Sequence, residues 1–147
     1  MNGGMAGRFL EELTVGESAE RSFTVSAADI DAFAAVSHDH NPVHLDEAFA
    51  QTTPFKGRIA HGMLSAAYIS AVLGADLPGA GSAYVSQSLR FRRPVRIGDT
   101  VKVTVAVVGI EPRTAKVTLS TVCTVDGKTV ADGEAAVLVP RSGAASA

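Results

Sequence analysis

The stretch that decides the fold of this chain is HGMLSAAYISAVL, residues 61–73. Its side chains are apolar or small almost all the way round a helix, and Gly74 follows as a stop signal. A helix without a broad polar face has to be covered by other parts of the molecule. The sequence therefore predicts a buried helix from about Ile59 to Leu73.

After this helix and Pro78-Gly79, the pattern becomes strand-like, with turn signals such as Gly98-Asp99 and Asp126-Gly127 between the runs. The four predicted strands lie near Ser82–Phe91, Thr100–Ile110, Thr114–Val125 and Lys128–Val139. Valines at 101, 103, 105 and 107 alternate with other residues, which is the period of a sheet with one buried face. Short turns predict antiparallel neighbours. The expected fold class is therefore α+β, an antiparallel sheet packed on one long apolar helix.

Upstream of the long helix, the chain predicts one more strand and one more helix. Residues 19–25 favour a strand, and Ser26 with Asp29 forms a capping box that opens a helix ending near Ser37. The segment HDHNPVHLD, residues 38–46, follows. Because Pro42 lacks an amide donor and disfavours helix at Asn41, we expect a polar loop there.

The length of 147 residues predicts a single domain, which we place at residues 8–140. Residues 1–7 and 141–147 are rich in Gly, Ala and Ser and are predicted to be flexible ends. The net charge of −2 provides no field that would gather nucleic acid or an anionic membrane. No apolar run is long enough to cross a bilayer.

The single cysteine, Cys123, excludes an intrachain disulfide and a CxxC site. Its period-two alignment with Val117 and Leu119 predicts a core residue rather than a nucleophile. The N-terminal residues lack the basic start and apolar centre of a signal peptide. A cytoplasmic location is expected.

All four histidines fall in two places, the 38–46 segment and the start of the long helix: His38, His40, His44 and His61. Three interpretations of the first group remain open at this point. Three closely spaced imidazoles with Asp39 or Asp46 could bind a metal. The segment could equally be an ordinary polar turn marked by Asn-Pro. Finally, Asp39 and His44 could aim a carboxylate and an imidazole at one water for acid–base catalysis, with neither metal nor cofactor.

An ordered set of motifs makes a resemblance specific. The segment HDHNPVHLD is followed by AFAQTT (48–53), IAHGML (59–64), LPGAGSAYVSQSLRFRRPVRIGD (77–99) and GEAAVLVP (133–140). In this order and spacing, over about residues 26–140, the chain resembles the MaoC-like (R)-specific enoyl-CoA hydratases. Their hydratase motif is written Asp-x-Asn-Pro-x-His-x-Asp, and here it begins at Asp39.

The resemblance implies a role for several residues. Asp39 and His44 would be the catalytic pair that holds the water, and Asn41 would help to set the loop. Gly62 would offer its backbone N–H to the thioester oxygen, where negative charge develops as water adds. Ser70 matches a serine near the catalytic pair in such enzymes, but it could equally be a small packing residue. His61 is expected to shape the turn into Gly62.

Arginines at 90, 92, 93 and 96 make the only basic cluster of the sequence. Arg90, Arg92 and Arg93 are candidates for binding the phosphates of CoA. The alternative is a charged, solvated strand edge.

The resemblance also implies a hot-dog fold, in which a curved antiparallel sheet wraps the long helix, and a homodimer as the working unit. The expected activity is hydration of the 2,3 double bond of an acyl-CoA or acyl carrier protein thioester. No cofactor or metal is expected, and neither nucleic acid nor membrane is an expected partner. The alternatives are a hot-dog thioesterase and a non-catalytic acyl-binding subunit, and the intact Asp39, Asn41-Pro42 and His44 set argues against both.

Overall fold

The computed structural model describes residues 7–143. A short 3₁₀ turn at Leu10–Glu12 precedes six strands and four α-helices in this part of the chain. In chain order the elements are β1 (Ser18–Thr24), α1 (Ala27–Ser37), α2 (Pro42–Leu45), α3 (Glu47–Gln51), α4 (Gly62–Ala75), β2 (Ala83–Gln87), β3 (Arg90–Phe91), β4 (Thr100–Glu111), β5 (Lys116–Val125) and β6 (Lys128–Leu138).

The strands of the described residues form one antiparallel sheet in the order β1-β4-β5-β6-β2, with β3 also paired to β6. Helix α4 contacts β1, β4 and β5. Its Ile69, Val72 and Leu73 are almost completely buried in the same core as the sheet side chains. The prediction of an α+β fold built on a sheet and one apolar helix is confirmed.

The strand periodicity predicted from the valines of β4 is also confirmed. Val101, Val103, Val105 and Val107 are at most 1% exposed, and Cys123 on β5 is fully buried beside them. Burial raises the pKa of the Cys123 thiol to about 11, so this residue is a core side chain and not a thiolate at neutral pH. Asp126 and Gly127 both have positive φ, as a two-residue hairpin turn between β5 and β6 requires.

The predicted strand over Ser82–Phe91 is wrong as a continuous element, because it is divided into β2 and β3. The break falls at Ser88, whose N–H bonds to the Glu134 carbonyl and whose hydroxyl accepts the Glu134 N–H. A Cβ at Gly133 would lie 1.8 Å from the Ser88 carbonyl oxygen. The two backbones therefore approach closely enough only because residue 133 is glycine.

The prediction of an irregular loop over residues 38–46 is wrong in part. Pro42–Leu45 forms the short helix α2, and Glu47–Gln51 forms α3 directly after it. Pro42 occupies the first helical position, where its missing N–H is not needed, and the Asn41 side chain caps the helix by accepting the Val43 N–H. Proline therefore starts a helix here, although it does keep Asn41 out of one.

Helix α4 continues through Gly74, the predicted stop, and ends at Ala75. Residues 7–143 do not cover it on all sides: Met63 is 58% exposed, and Ala67 and Ser70 are exposed as well. These three positions lie on adjoining turns of the helix. An apolar helix with one uncovered face leaves room for a further covering element.

The ends of the described range are attached to the body of the protein. The N–H groups of Arg8 and Leu10 bond to the carbonyls of Pro78 and Pro140, and Ser142 donates its N–H to Glu11. The other residues of the predicted flexible ends, 1–6 and 144–147, lie outside the described residues, and the predicted domain limits stay a prediction. None of the helices in residues 7–143 has the length and hydropathy of a membrane span.

Candidate active site

Hydrogen bonds between side chains and backbone groups two residues away fix the segment that carries the predicted catalytic pair. His38 ends α1 in the left-handed region, with φ of 66°. The Ser37 hydroxyl then accepts the Asp39 N–H at 3.1 Å, and Asp39 Oδ1 accepts the Asn41 N–H at 3.1 Å. With the Asn41 cap on α2, these bonds make a chain of Asx-type turns, and one carboxylate oxygen of Asp39 is held in place by the backbone.

The His44 ring is fixed by a contact outside its own helix. Its Nδ1 lies 2.9 Å from the carbonyl oxygen of Ile59. A carbonyl can only accept, so Nδ1 carries the proton and, in the neutral ring, Nε2 is a free acceptor. Burial lowers the pKa of His44 below its ordinary value of 6.5, and the nearby ring of His61 adds to this effect. His44 is therefore neutral at pH 7 and able to take up a proton.

His61, which the sequence assigned to the turn before Gly62, holds the catalytic segment directly. It is 2% exposed, and its ring stacks on His44 with 3.9 Å between centroids. The ring of Phe33 on α1 packs against the His61 ring at a tilt, with 4.9 Å between centroids. Its Nε2 lies 3.0 Å from the carbonyl oxygen of Asp39. That bond assigns the proton to Nε2, so the buried Nδ1, which has no hydrogen-bond partner among the described residues, is an acceptor.

Asp39, His44 and His61 come together as one polar cluster, with one ligand-type atom from each within 4.8 Å of the others. Separations below this limit admit a water molecule that donates to two acceptors about 2.8 Å away, and equally a metal ion bound by donor atoms about 3.3 Å apart. The metal trio suggested by sequence spacing is not assembled, because His38 and His40 are exposed and lie outside the cluster.

Gly62 is the first residue of α4, so its N–H has no acceptor within the helix. A Cβ at this position would lie 2.8 Å from Cε1 and 2.9 Å from Cδ1 of Phe91. The aromatic ring of β3 therefore rests directly on the glycine. Only glycine leaves both the ring contact and an open approach to the amide at the positive end of the helix.

A cavity of about 420 Å³ lies beside these groups. His44, His61, Gly62 and Ser65 contribute the polar part of its wall, and most of the remaining surface is apolar. The apolar and arginine part of the lining comes from Phe55, Ile59, Ala60, Phe91, Arg92, Arg93, Pro94, Val95, Val130 and Ala131. Asp39 does not line the cavity itself and reaches the site through its contacts with the histidines.

Ser70 is separated from these groups. It is exposed and lies eight residues beyond Gly62 on α4, a rise of about 12 Å, and it does not line the cavity. The serine in the cavity wall is Ser65, which is 5% exposed and which the sequence analysis did not select. Its position one turn after Gly62 is the signal that could have found it, because residues three apart share a helix face.

The arginine cluster is divided by the structure. Arg92 and Arg93 line the cavity, whereas Arg90 lies in a neighbouring polar groove that it shares with Arg92 and Asp132. Arg92 Nε is 3.0 Å from both carboxylate oxygens of Asp132, and Arg93 Nη1 donates to the Thr129 carbonyl at 2.6 Å. Each of these two guanidinium groups uses only one of its nitrogens in these bonds, which leaves further donors for an anion.

The sheet wrapped on a central helix is the hot-dog fold, and the predicted pair Asp39 and His44 lies beside His61 at the amino end of that helix. The MaoC like domain family model matches residues 12–129. This chain belongs to the MaoC-like family.

Relatives and solved structures agree with the match. The chain is 56% identical over 135 residues to the (R)-specific enoyl-CoA hydratase of Rhodospirillum rubrum, covering 92% of this chain and 94% of the relative. It is 47% identical to the 3-hydroxybutyryl-CoA dehydratase of Methylorubrum extorquens, covering 90% and 85%. The unliganded R-hydratase PhaJ1 from Pseudomonas aeruginosa superimposes with a TM-score of 0.87 at 48% identity, covering 92% of this chain and 87% of that one.

Proposed function

We propose that this protein is an (R)-specific enoyl-CoA hydratase, which adds water across the 2,3 double bond of trans-2-enoyl thioesters and catalyses the reverse dehydration. The observation that carries the proposal is that Asp39 lies next to neutral His44, while His44 and the Gly62 amide line one largely apolar cavity. The thioesterase and non-catalytic alternatives have no comparable support, because the relatives of high identity are named hydratases and dehydratases.

Asp39 and His44 act on the water. The carboxylate of Asp39 and the Nε2 of His44 are acceptors, so a water between them is held through its two protons with an oxygen lone pair free to attack. As the oxygen bonds to C3, one proton passes to the pair and the π electrons of the double bond move toward the thioester oxygen. The same proton equivalent is then delivered to C2, which balances the addition of one water.

Gly62 acts on the carbonyl. Negative charge on the thioester oxygen is greatest in the enolate-like state between attack and protonation, and the Gly62 N–H is placed to donate to it. The amide needs no reorganisation at that moment, because it is fixed as the first residue of α4. The apolar walls of the cavity, including Phe91, exclude competing water from this bond.

The direct experiment is to mix the purified protein with crotonyl-CoA and follow the loss of enoyl absorbance. Chiral analysis of the hydrolysed product should give one enantiomer, since water and carbonyl are held on fixed sides of the enoyl plane, and the similarity to (R)-specific hydratases makes the R acid the expected one. A predominantly S product, or no hydration by a folded protein, contradicts the proposal.

A homodimer is part of the proposal. The edge strand β2 and the amino-terminal turns of α4 expose a joint apolar surface, to which Met63, Ala66, Tyr84 and Val85 contribute. An uncovered strand edge beside an apolar helix face is a surface suited to pairing with a second copy. Sedimentation equilibrium should give twice the chain mass, and Val85→Lys should shift it toward the monomer.

CoA binding by Arg92 and Arg93 is the remaining part of the proposal, with Arg90 contributing from the neighbouring groove. Their free guanidinium donors lie at the wall of the cavity, where a substrate phosphate would meet them.

The proposed hydration uses protein groups and water only, so we propose that the enzyme works without metal or cofactor. We also propose a cytoplasmic location, where acyl-CoA is available.

A further inference from the structure

Arg58 stands out among the charged residues because its side chain is only 15% exposed and is not in the cavity wall. Its Nε donates to the carbonyl oxygen of His44 at 2.6 Å, and its Nη2 lies 3.1 Å from Asp31 Oδ1 on α1. Its backbone N–H also donates to Glu47 Oε1 at 3.1 Å. One residue thus joins α1, the catalytic helix α2 and α3.

The residues after Arg58 continue the same attachment. Ile59 donates its N–H to the Val43 carbonyl at 3.3 Å and accepts the His44 Nδ1–H at 2.9 Å. Ala60 then donates its N–H to the Val95 carbonyl at 2.7 Å, which ties the segment to the connection between β3 and β4. Residues 58–60 therefore form a strap between this connection and helix α2, and both the backbone and the ring of His44 are fixed to it.

The ion pair with Asp31 does not by itself account for an arginine at this position. The Asp31 carboxylate is 63% exposed, and a pair with such a partner contributes little to stability. An arginine side chain that is only 15% exposed carries a desolvation cost that an apolar side chain would avoid. The contact that explains a donor at this position is the 2.6 Å bond from Nε to the His44 carbonyl. This carbonyl is one of the last in the four-residue helix α2, so no N–H further along that helix can bond to it.

We propose that Arg58 is a positioning residue for His44 in the hydration reaction. The inference rests on the proposed function. Arg58 anchors the His44 carbonyl, and this anchor keeps the ring at the distance from Ile59 that holds the proton on Nδ1 and leaves Nε2 toward the water. Without it, helix α2 is attached to the strap by fewer bonds, and the ring samples orientations in which Nε2 does not face the water.

The test replaces Arg58 by Met, which keeps the length of the side chain and removes its donors. We expect kcat for crotonyl-CoA hydration to fall about 10- to 100-fold with KM changed by less than about threefold, because misplacement of a catalytic group affects the chemical step. Arg58→Lys, which keeps one charged donor within reach of the His44 carbonyl, should recover much of the loss. The matched control is Arg21→Met, which breaks the exposed ion pair with Asp76 at the far end of α4 and should leave kcat unchanged.

A second measurement does not depend on turnover. Nitrogen NMR of the imidazoles should show His44 as a single Nδ1–H tautomer in the wild type and as a mixture in Arg58→Met. If the folded Met variant keeps kcat within twofold and the same His44 spectrum, the inference is wrong and Arg58 has only a structural role. Should the Met variant not fold, Arg58→Gln is judged by the same two criteria. A wild-type protein that does not hydrate crotonyl-CoA would overturn the proposed function, while the NMR comparison would still decide on the positioning.

Discussion

Replacing Gly62 by Ala tests the oxyanion role with the smallest possible change. The new Cβ would lie 2.8, 2.9 and 3.3 Å from three atoms of the Phe91 ring, so the ring has to retreat by about 0.7 Å to reach ordinary contact near 3.5 Å. Phe91 is 53% exposed and can move, so we expect a stability cost below about 1 kcal/mol. The methyl group also narrows the approach to the Gly62 amide, and loss of one such donor lowers kcat on the order of 100-fold.

The assay is kcat for crotonyl-CoA hydration together with the midpoint of urea unfolding. Gly74→Ala is the matched control on the same helix: a Cβ there meets nothing within 4 Å, and the site lies about 18 Å along the axis from Gly62. It should raise stability by up to about 1 kcal/mol and leave kcat unchanged. In the double variant Gly62→Ala/Phe91→Ala, the overlap is relieved but the rate should stay low. A folded Gly62→Ala enzyme with kcat within threefold of wild type would refute the assignment of this amide as the oxyanion donor.

The other predictions concern the same site. Asp39→Asn keeps the shape but removes the charge that accepts a proton, so turnover should fall about 10²- to 10⁴-fold with the circular dichroism spectrum unchanged; activity within threefold of wild type would argue against this role. Because the pKa of His44 is lowered, His44 should stay neutral below pH 6.5, and the midpoint of the acidic fall in kcat/KM should lie at a lower pH than for an ordinary histidine. A midpoint above pH 6.5 would contradict this. Hydration should be unaffected by a chelator, and stoichiometric zinc with chelator-sensitive activity would overturn the metal-free mechanism. Arg92→Ala should raise KM for crotonyl-CoA more than for a short pantetheine thioester, with a smaller effect at high salt, whereas equal effects would indicate a solvated strand edge.

Local patterns were sufficient for much of the fold. The alternating valines of β4 predicted a buried face, and Ser26 with Asp29 predicted the start of α1, because both signals depend on residues within one element. One error arose where a distant partner decides the outcome. The strand predicted over residues 82–91 is interrupted because Ser88 bonds to Glu134, 46 residues further along the chain.

The sequence alone identified Asp39, His44 and Gly62 as the candidate site, since its ordered motifs resemble those of a known family and need no tertiary information. Only the tertiary structure decided what surrounds them. His61 stacks on His44 from 17 positions away, Phe91 on strand β3 covers Gly62 at the start of α4, and Arg58 holds the His44 carbonyl. The orientation and proton position of the His44 ring depend on hydrogen bonds and burial, which arise when separate elements pack together, and neither has a local sequence signal.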